Sequence, residues 1–137
     1  MLACFQAAAQ ASGCRLEYRW GEESRYKAMR STHAFAAAYQ ANIESLGRTV
    51  MEPESRRSMG STDMGNVSAM VPAIHPSVAV APPDIPIHTE AFRDLAATEA
   101  GHRALLDSAK ALAMTAVDVL TDADLRQRMR SEFEGGG

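Results

Sequence analysis

Residues Thr98 to Leu120 read TEAGHRALLDSAKALAMTAVDVL, and the reading of this stretch decides how the rest of the chain is arranged. Apolar residues recur at three- and four-residue intervals, which puts Leu105, Ala109, Leu112, Ala113, Ala116, Val117 and Leu120 on one broad face. That spacing predicts a long amphipathic helix with this face turned to a core. Directly after it, Thr121 and Asp124 form a capping-box-like start for a last helix, whose stripe is Leu125, Met129 and Phe133.

Moving outward, residues Leu2 to Ala11 are alanine-rich and predict a helix closed by Gly13 in the left-handed conformation. From Cys14 to Trp20 the pattern alternates, with Leu16, Tyr18 and Trp20 opposed to Arg15, Glu17 and Arg19, as in a strand with one wet face. Gly21 to Ser24 is a polar turn. Ser31 or Thr32 can cap a helix running to about Leu46, striped by Phe35, Tyr39, Ile43 and Leu46 and stopped by Gly47. Short strands are expected at Arg48–Met51 and Ser77–Ala81, and Glu52–Met59 is a charged loop. A short helix is expected near Val67–Met70. Pro82-Pro83-Asp84-Ile85-Pro86 is stiff and extended, so it delivers His88 to a defined point.

Composition bounds the function. The chain has 137 residues, 46% of them hydrophobic, which suits one globular domain. Its formal charge of -3 offers no electrostatic attraction for nucleic acid or an anionic membrane surface. No apolar run reaches the roughly 18 residues needed to cross a bilayer. The first fourteen residues carry no Lys or Arg, which makes a poor secretory signal. Cys4 and Cys14 are expected to be free thiols in a reducing cytoplasm.

Two segments could carry chemistry. Gly60-Ser61-Thr62-Asp63-Met64-Gly65-Asn66-Val67-Ser68 is a small-residue loop with an acid, hydroxyls and an amide, suited to gripping a carboxylate or bracing a ligand. Ile87-His88-Thr89-Glu90 offers an imidazole, a good ligand for zinc-like metals, with Glu90 placed to orient the ring or to cap the following turn. One histidine cannot hold a metal, since a site needs three or four ligands. His33, His75 and His102 form no metal-ligand spacing and read as ordinary histidines. Glu22-Glu23 resembles the paired carboxylates of metallohydrolases but stands in a solvated turn. No lysine follows the glycines as in a P-loop, and there is no Gly-x-Ser-x-Gly elbow.

Taken in order, CFQAAAQASGCRLEYRW, GSTDMGNVSAMVPAIHPSVAVA, IHTEAF and AKALAMTAVDVL resemble the C-terminal third of the zinc-dependent aminoacylase and carboxypeptidase family. Within it they are most similar to the p-aminobenzoyl-glutamate hydrolase branch of amidohydrolases and dipeptidases. The resemblance implies an α/β fold: residues 1–28 would be the last helix and strand of an α+β lid or dimerisation domain, and residues 29–137 the C-terminal portion of a mixed-sheet catalytic domain. It also implies a pair of divalent metal ions, usually zinc, a small amide or peptide substrate, and a homodimer of the full-length enzyme. His88 matches the family's final metal ligand, and Thr62, Asp63 and Asn66 match a loop that touches substrate. The family's other ligands and its glutamate base belong upstream of the residues present here. The resemblance therefore places no catalytic residue in this chain, which is expected to be an inactive fragment of an amidohydrolase. The alternative is a non-enzymatic interaction module built on the Leu16/Tyr18/Trp20 strand and the long helix.

Overall fold

Six helices make up the regular structure of the described residues, which are 1–19, 21, 25–51 and 61–136 of a computed structural model. Helix α1 (Leu2–Ser12) ends at Gly13, whose φ of 67° is the left-handed stop expected there. Helix α2 spans His33–Ser45 and α3 spans Met64–Ser68. Helix α4 covers Glu90–Ala96, α5 covers Glu99–Thr121 and α6 covers Ala123–Glu134. The expected strand at Cys14–Trp20 ends on a residue outside the described set. So do the turn holding Glu22-Glu23 and the 52–59 loop.

The packed body consists of α2, α4, α5 and α6, while α1 packs against no other helix. At its centre Tyr39 and Ile43 of α2 lie on Ala111 of α5, with Leu46 and Ile74 packed against them. The residues that α5 buries are small: Gly101, Ala104, Ala111 and Thr115. Small side chains let helix backbones approach closely, and a polar set then fixes the rotation. The Asn42 amide donates to Thr115 Oγ1 (3.1 Å) and to Asp118 Oδ2 (2.6 Å), while the Thr115 hydroxyl donates to the Ala111 carbonyl (2.7 Å). A half-buried ion pair between Arg48 and Asp107 (2.9 Å) ties the segment after α2 to the same helix.

Helix ends are joined by side chains. Asp122 closes α5 and also caps α6, its carboxylate accepting from Leu125 N (2.9 Å). The cap is therefore one residue beyond the expected Thr121. Arg126 reaches back to the last carbonyls of α5, donating to Val119 O (2.8 Å) and Leu120 O (2.9 Å), where a cation suits the helix dipole. Glu132 of α6 accepts from Ala34 N at the start of α2, with both carboxylate oxygens within reach (3.1 and 3.2 Å). Leu125 and Met129 are buried and Phe133 half-buried, as the α6 stripe predicts.

Two expectations are overturned. The α/β class, with its mixed sheet and lid strand, is not found: the described residues contain no strand or sheet. The alternation over residues 14–19 is real, but a strand exists only by pairing, and among the described residues this segment joins no β-ladder. Nor do 48–51 or 77–81. What remains is one isolated parallel bridge between Ser31 and Ala73. There Thr32 N donates to Ala73 O (3.0 Å) and Ala73 N donates to Thr32 Oγ1 (3.2 Å).

The second correction concerns α5. The face expected to enter the core is turned outward, with Leu105 67%, Leu112 51%, Val117 56% and Leu120 77% exposed. Period alone cannot tell a large apolar face from a small one as the seat of a close contact. The Asn42–Thr115–Asp118 bonds and the bulk of Tyr39 and Ile43 select the small one.

Residues 62–73 are clasped onto residues 25–32. A Cβ at Gly65 would overlap the Lys27 carbonyl, so this approach requires glycine. Ser68, fully buried, donates to Gly65 O (3.0 Å) and accepts from Arg30 N (3.0 Å). We predict that Gly65→Ala lowers stability by about 1–3 kcal/mol, the usual range for overpacking, read as a lower urea midpoint. Gly47→Ala offers the comparison. It meets no neighbour and carries only the cost of its φ of 85°, so it should fall less.

Candidate functional site

The small-residue loop and the histidine segment are held by different means. Thr62 is half-buried at the entrance to α3, its hydroxyl accepting from Met64 N (3.2 Å) and standing 3.4 Å from His75 Nδ1. Asp63 occupies the N-cap position of α3 but makes no side-chain capping bond, and it is exposed. Its carboxylate is therefore available to solvent. Asn66 is engaged at both ends of its amide: Oδ1 accepts from Lys27 N (2.7 Å) and Nδ2 donates to Arg25 O (3.1 Å). That double bond to main chain is how one side chain replaces a strand neighbour for an extended segment. Its geometry is that of a brace.

His88 lies on the exposed turn before α4, and its φ of 65° makes it the one non-glycine residue in the left-handed region among the described residues. Histidine tolerates that region better than most residues, though still at some cost. The turn is fixed on both flanks. Ile85 N donates to Pro82 O (3.1 Å), and the Thr89 hydroxyl donates to Pro86 O (2.8 Å) while accepting from Phe92 N (3.2 Å) as the α4 cap. Thr89 thus takes the capping role that the sequence left open to Glu90, which sits in the first turn of α4 where a carboxylate suits the dipole. The imidazole is presented to solvent from a constrained backbone.

No hydrogen bond or ion pair joins His88 to Thr62, Asp63 or Asn66 among the described residues. The contact that does form, Thr62 with His75, pairs a candidate with a histidine the sequence reading treated as ordinary. No group of three or more His, Cys, Asp or Glu side chains gathers in metal-binding geometry among the described residues. The described residues do not by themselves fit a metal centre, and His88 stands there as a single candidate imidazole. Cys4 and Cys14 are free and exposed. No helix is long and apolar enough to cross a membrane among the residues described. Asn42 and Thr115 were not singled out by sequence, because an asparagine and a threonine at helical spacing carry no signal of what they will bond, and Ser68, quoted as part of the small-residue loop, is buried in the clasp.

No family model matches the chain. The chain is 36% identical over 133 residues to the Xaa-Arg dipeptidase of Homo sapiens and 37% identical over 133 residues to that of Mus musculus. The aligned region is 96% of this chain and 30% of each relative, so the chain spans about 30% of the length of the curated relatives it matches. The likeness supports kinship with peptidases, and it does not select the p-aminobenzoyl-glutamate branch.

The brace makes a specific prediction. Asn66→Ala removes the amide that bonds Lys27 N and Arg25 O, both exposed, which should lower stability by about 0.5–1.5 kcal/mol per bond. Asn66→Asp keeps the first bond and loses the second, so it should fall between. Amide exchange checks this residue by residue: Lys27 should exchange faster in Asn66→Ala, while Arg30, held by Ser68, changes less.

Proposed function

We propose that this chain is the C-terminal part of a metal-dependent dipeptidase, acting on the amide bond of dipeptides or related N-acyl amino acids. The observation that carries the reading is the 36% identity to a protein named as a dipeptidase, sustained over 133 residues of this chain. In this reading residues 1–28 belong to a lid or dimerisation domain, and residues 29–137 to the catalytic domain. His88 donates one ligand to a centre whose remaining ligands lie in polypeptide outside these 137 residues, and zinc is the metal its imidazole suits. The fixed, solvent-facing turn at 85–89 favours this assignment, since a preorganised ligand loses little freedom on binding. Thr62 and Asp63 are the substrate contacts of the loop. Asn66 serves it as a brace, its amide already committed to residues 25 and 27. The two exposed thiols suit a reducing compartment, and a cytoplasmic location completes the proposal.

The test is a chimera in which this chain replaces the aligned 30% of the human Xaa-Arg dipeptidase. The chimera should hydrolyse dipeptides when supplied with zinc, and the isolated 137-residue chain should not. His88→Ala in the chimera should lower kcat/KM by about 100-fold or more and reduce the metal retained per chain, because loss of even an outer-shell partner costs about 10–100-fold. Full activity and metal content in His88→Ala would remove the histidine from the site.

A further inference from the structure

Two stretches of chain held on residues 25–32 meet at the pair Thr62 and His75. One is the loop entering α3, tied down by Asn66 on Lys27 N and Arg25 O and by Ser68 on Arg30 N. The other is the extended segment at 72–76. It is held by the Ser31–Ala73 bridge and by Ile74, which packs against the cluster of Tyr39, Ile43 and Ala111. Pro76 follows His75 directly and favours an extended backbone there. His75 thus has its main chain fixed on both flanks while its side chain is exposed.

Counting hydrogens decides what the ring presents. Thr62 Oγ1 accepts from Met64 N (3.2 Å), and the acceptor near its own hydrogen is His75 Nδ1, 3.4 Å away. A neutral ring whose Nδ1 accepts carries its proton on Nε2, so the threonine assigns the tautomer. Nε2 makes no hydrogen bond among the described residues, and its N–H is a donor without an acceptor. At 3.4 Å the pair is longer than a finished hydrogen bond, as is common in sites that tighten around a ligand. Of the loop's own side chains, ionised Asp63 only accepts and the Asn66 amide is already committed. The donor this corner offers to an anion is therefore the imidazole.

We propose that His75, its ring aimed by Thr62, is a binding residue for the free carboxylate of the substrate's C-terminal amino acid. This inference rests on the dipeptidase reading and deepens it. Dipeptides and N-acyl amino acids share two features, the amide to be cleaved and a carboxylate on its C-terminal side. A donor of fixed tautomer suits the carboxylate better than a carbonyl, because a hydrogen bond to an anion is roughly twice as strong as one between neutral groups. Thr62 then serves the same subsite through the ring it orients.

The same chimera tests this with alanyl-arginine and its C-terminal amide as the paired probes. His75→Ala should lower kcat/KM for the free peptide about tenfold or more, chiefly by raising KM, and bring the preference for free over amidated peptide close to one. His75→Gln, whose side-chain amide supplies an N–H, should restore part of that preference. Thr62→Val releases the tautomer and should lose an intermediate share of it. An equal loss on both peptides in His75→Ala would overturn the proposal and leave the dipeptidase reading intact, because the residue would then serve the fold or the amide. Calorimetric binding of the two peptides to the chimera stripped of metal by a chelator separates the two readings. Tighter binding of the free carboxylate, abolished by His75→Ala in a chimera that hydrolyses neither peptide once zinc is restored, would keep the subsite and refute the dipeptidase reading. A folded chimera that binds both peptides alike would overturn the carboxylate subsite whether or not it hydrolyses them.

Discussion

Everything in the packed body depends on how closely α5 can approach α2. The contact is made at Ala111 and Thr115, neither of which has a side chain long enough to hold the helices apart, while Gly101 lies against the end of α4 at the Ala96 carbonyl. With little apolar bulk on that side, burial alone gives α5 weak rotational preference. The Asn42 amide supplies the missing specificity by bonding both Thr115 and Asp118, one turn apart on the same helix. A rotation of α5 by one residue would break both bonds and drive a larger side chain into the space Ala111 fills. The two helices are thus registered by polar geometry and only then sealed by Tyr39 and Ile43.

From that registration the rest follows by connection. Asp122 serves as the end of α5 and the cap of α6, so the corner between them allows no slack. Glu132 and Arg126 then pin the two ends of α6, the first to the start of α2 and the second to the end of α5. Around this frame the 25–32 segment is held by residues 62–73 through main-chain and side-chain bonds. That clasp explains the loop's composition. Glycine at 65 permits the approach, asparagine at 66 satisfies main chain on both sides, and serine at 68 is buried because it can accept and donate at once. The same residue types that suggest ligand binding are here occupied with joining two stretches of chain.

What the sequence revealed and what it hid divide along physical lines. The helices at 2–12, 33–45, 99–121 and 123–134 were legible because stops and caps are mostly local: Gly13, Gly47 and Thr98 act within a turn of themselves, whereas Thr32 holds the N-cap position of α2 but gives its hydroxyl to Ala73 N. The stripes of α2 and α6 were legible too, since their large apolar residues do face inward. The strand readings failed because alternation reports a segment's two faces and says nothing about whether a partner exists to bond it. The α5 reading failed for a related reason. Hydrophobicity predicts that Leu105, Leu112 and Leu120 will be buried, but it cannot say in which layer or by which part of the polypeptide. The candidate site was legible only as residue types. His88 was singled out by its proline-stiffened approach, and the structure adds its left-handed backbone, which no pattern encodes.

These misreadings share a direction. Sequence patterns placed large apolar residues inside at residues 16 and 18 and along the α5 face; the structure leaves Tyr18 and the α5 face exposed and Leu16 half-buried. Random error would scatter, burying some polar groups and exposing some apolar ones. Here the buried polar residues Thr32, Ser68 and Thr115 are all hydrogen-bonded, while the Tyr39 hydroxyl, at the centre of the core, is buried without a hydrogen-bond partner. The larger deficit lies in apolar surface without cover. A sequence most of whose interior contacts are satisfied while its patterned faces are not is locally consistent and globally open. The α5 helix shows this most clearly, packed through Ala111 and Thr115 on one side and bare along Leu105, Leu112 and Leu120 on the other.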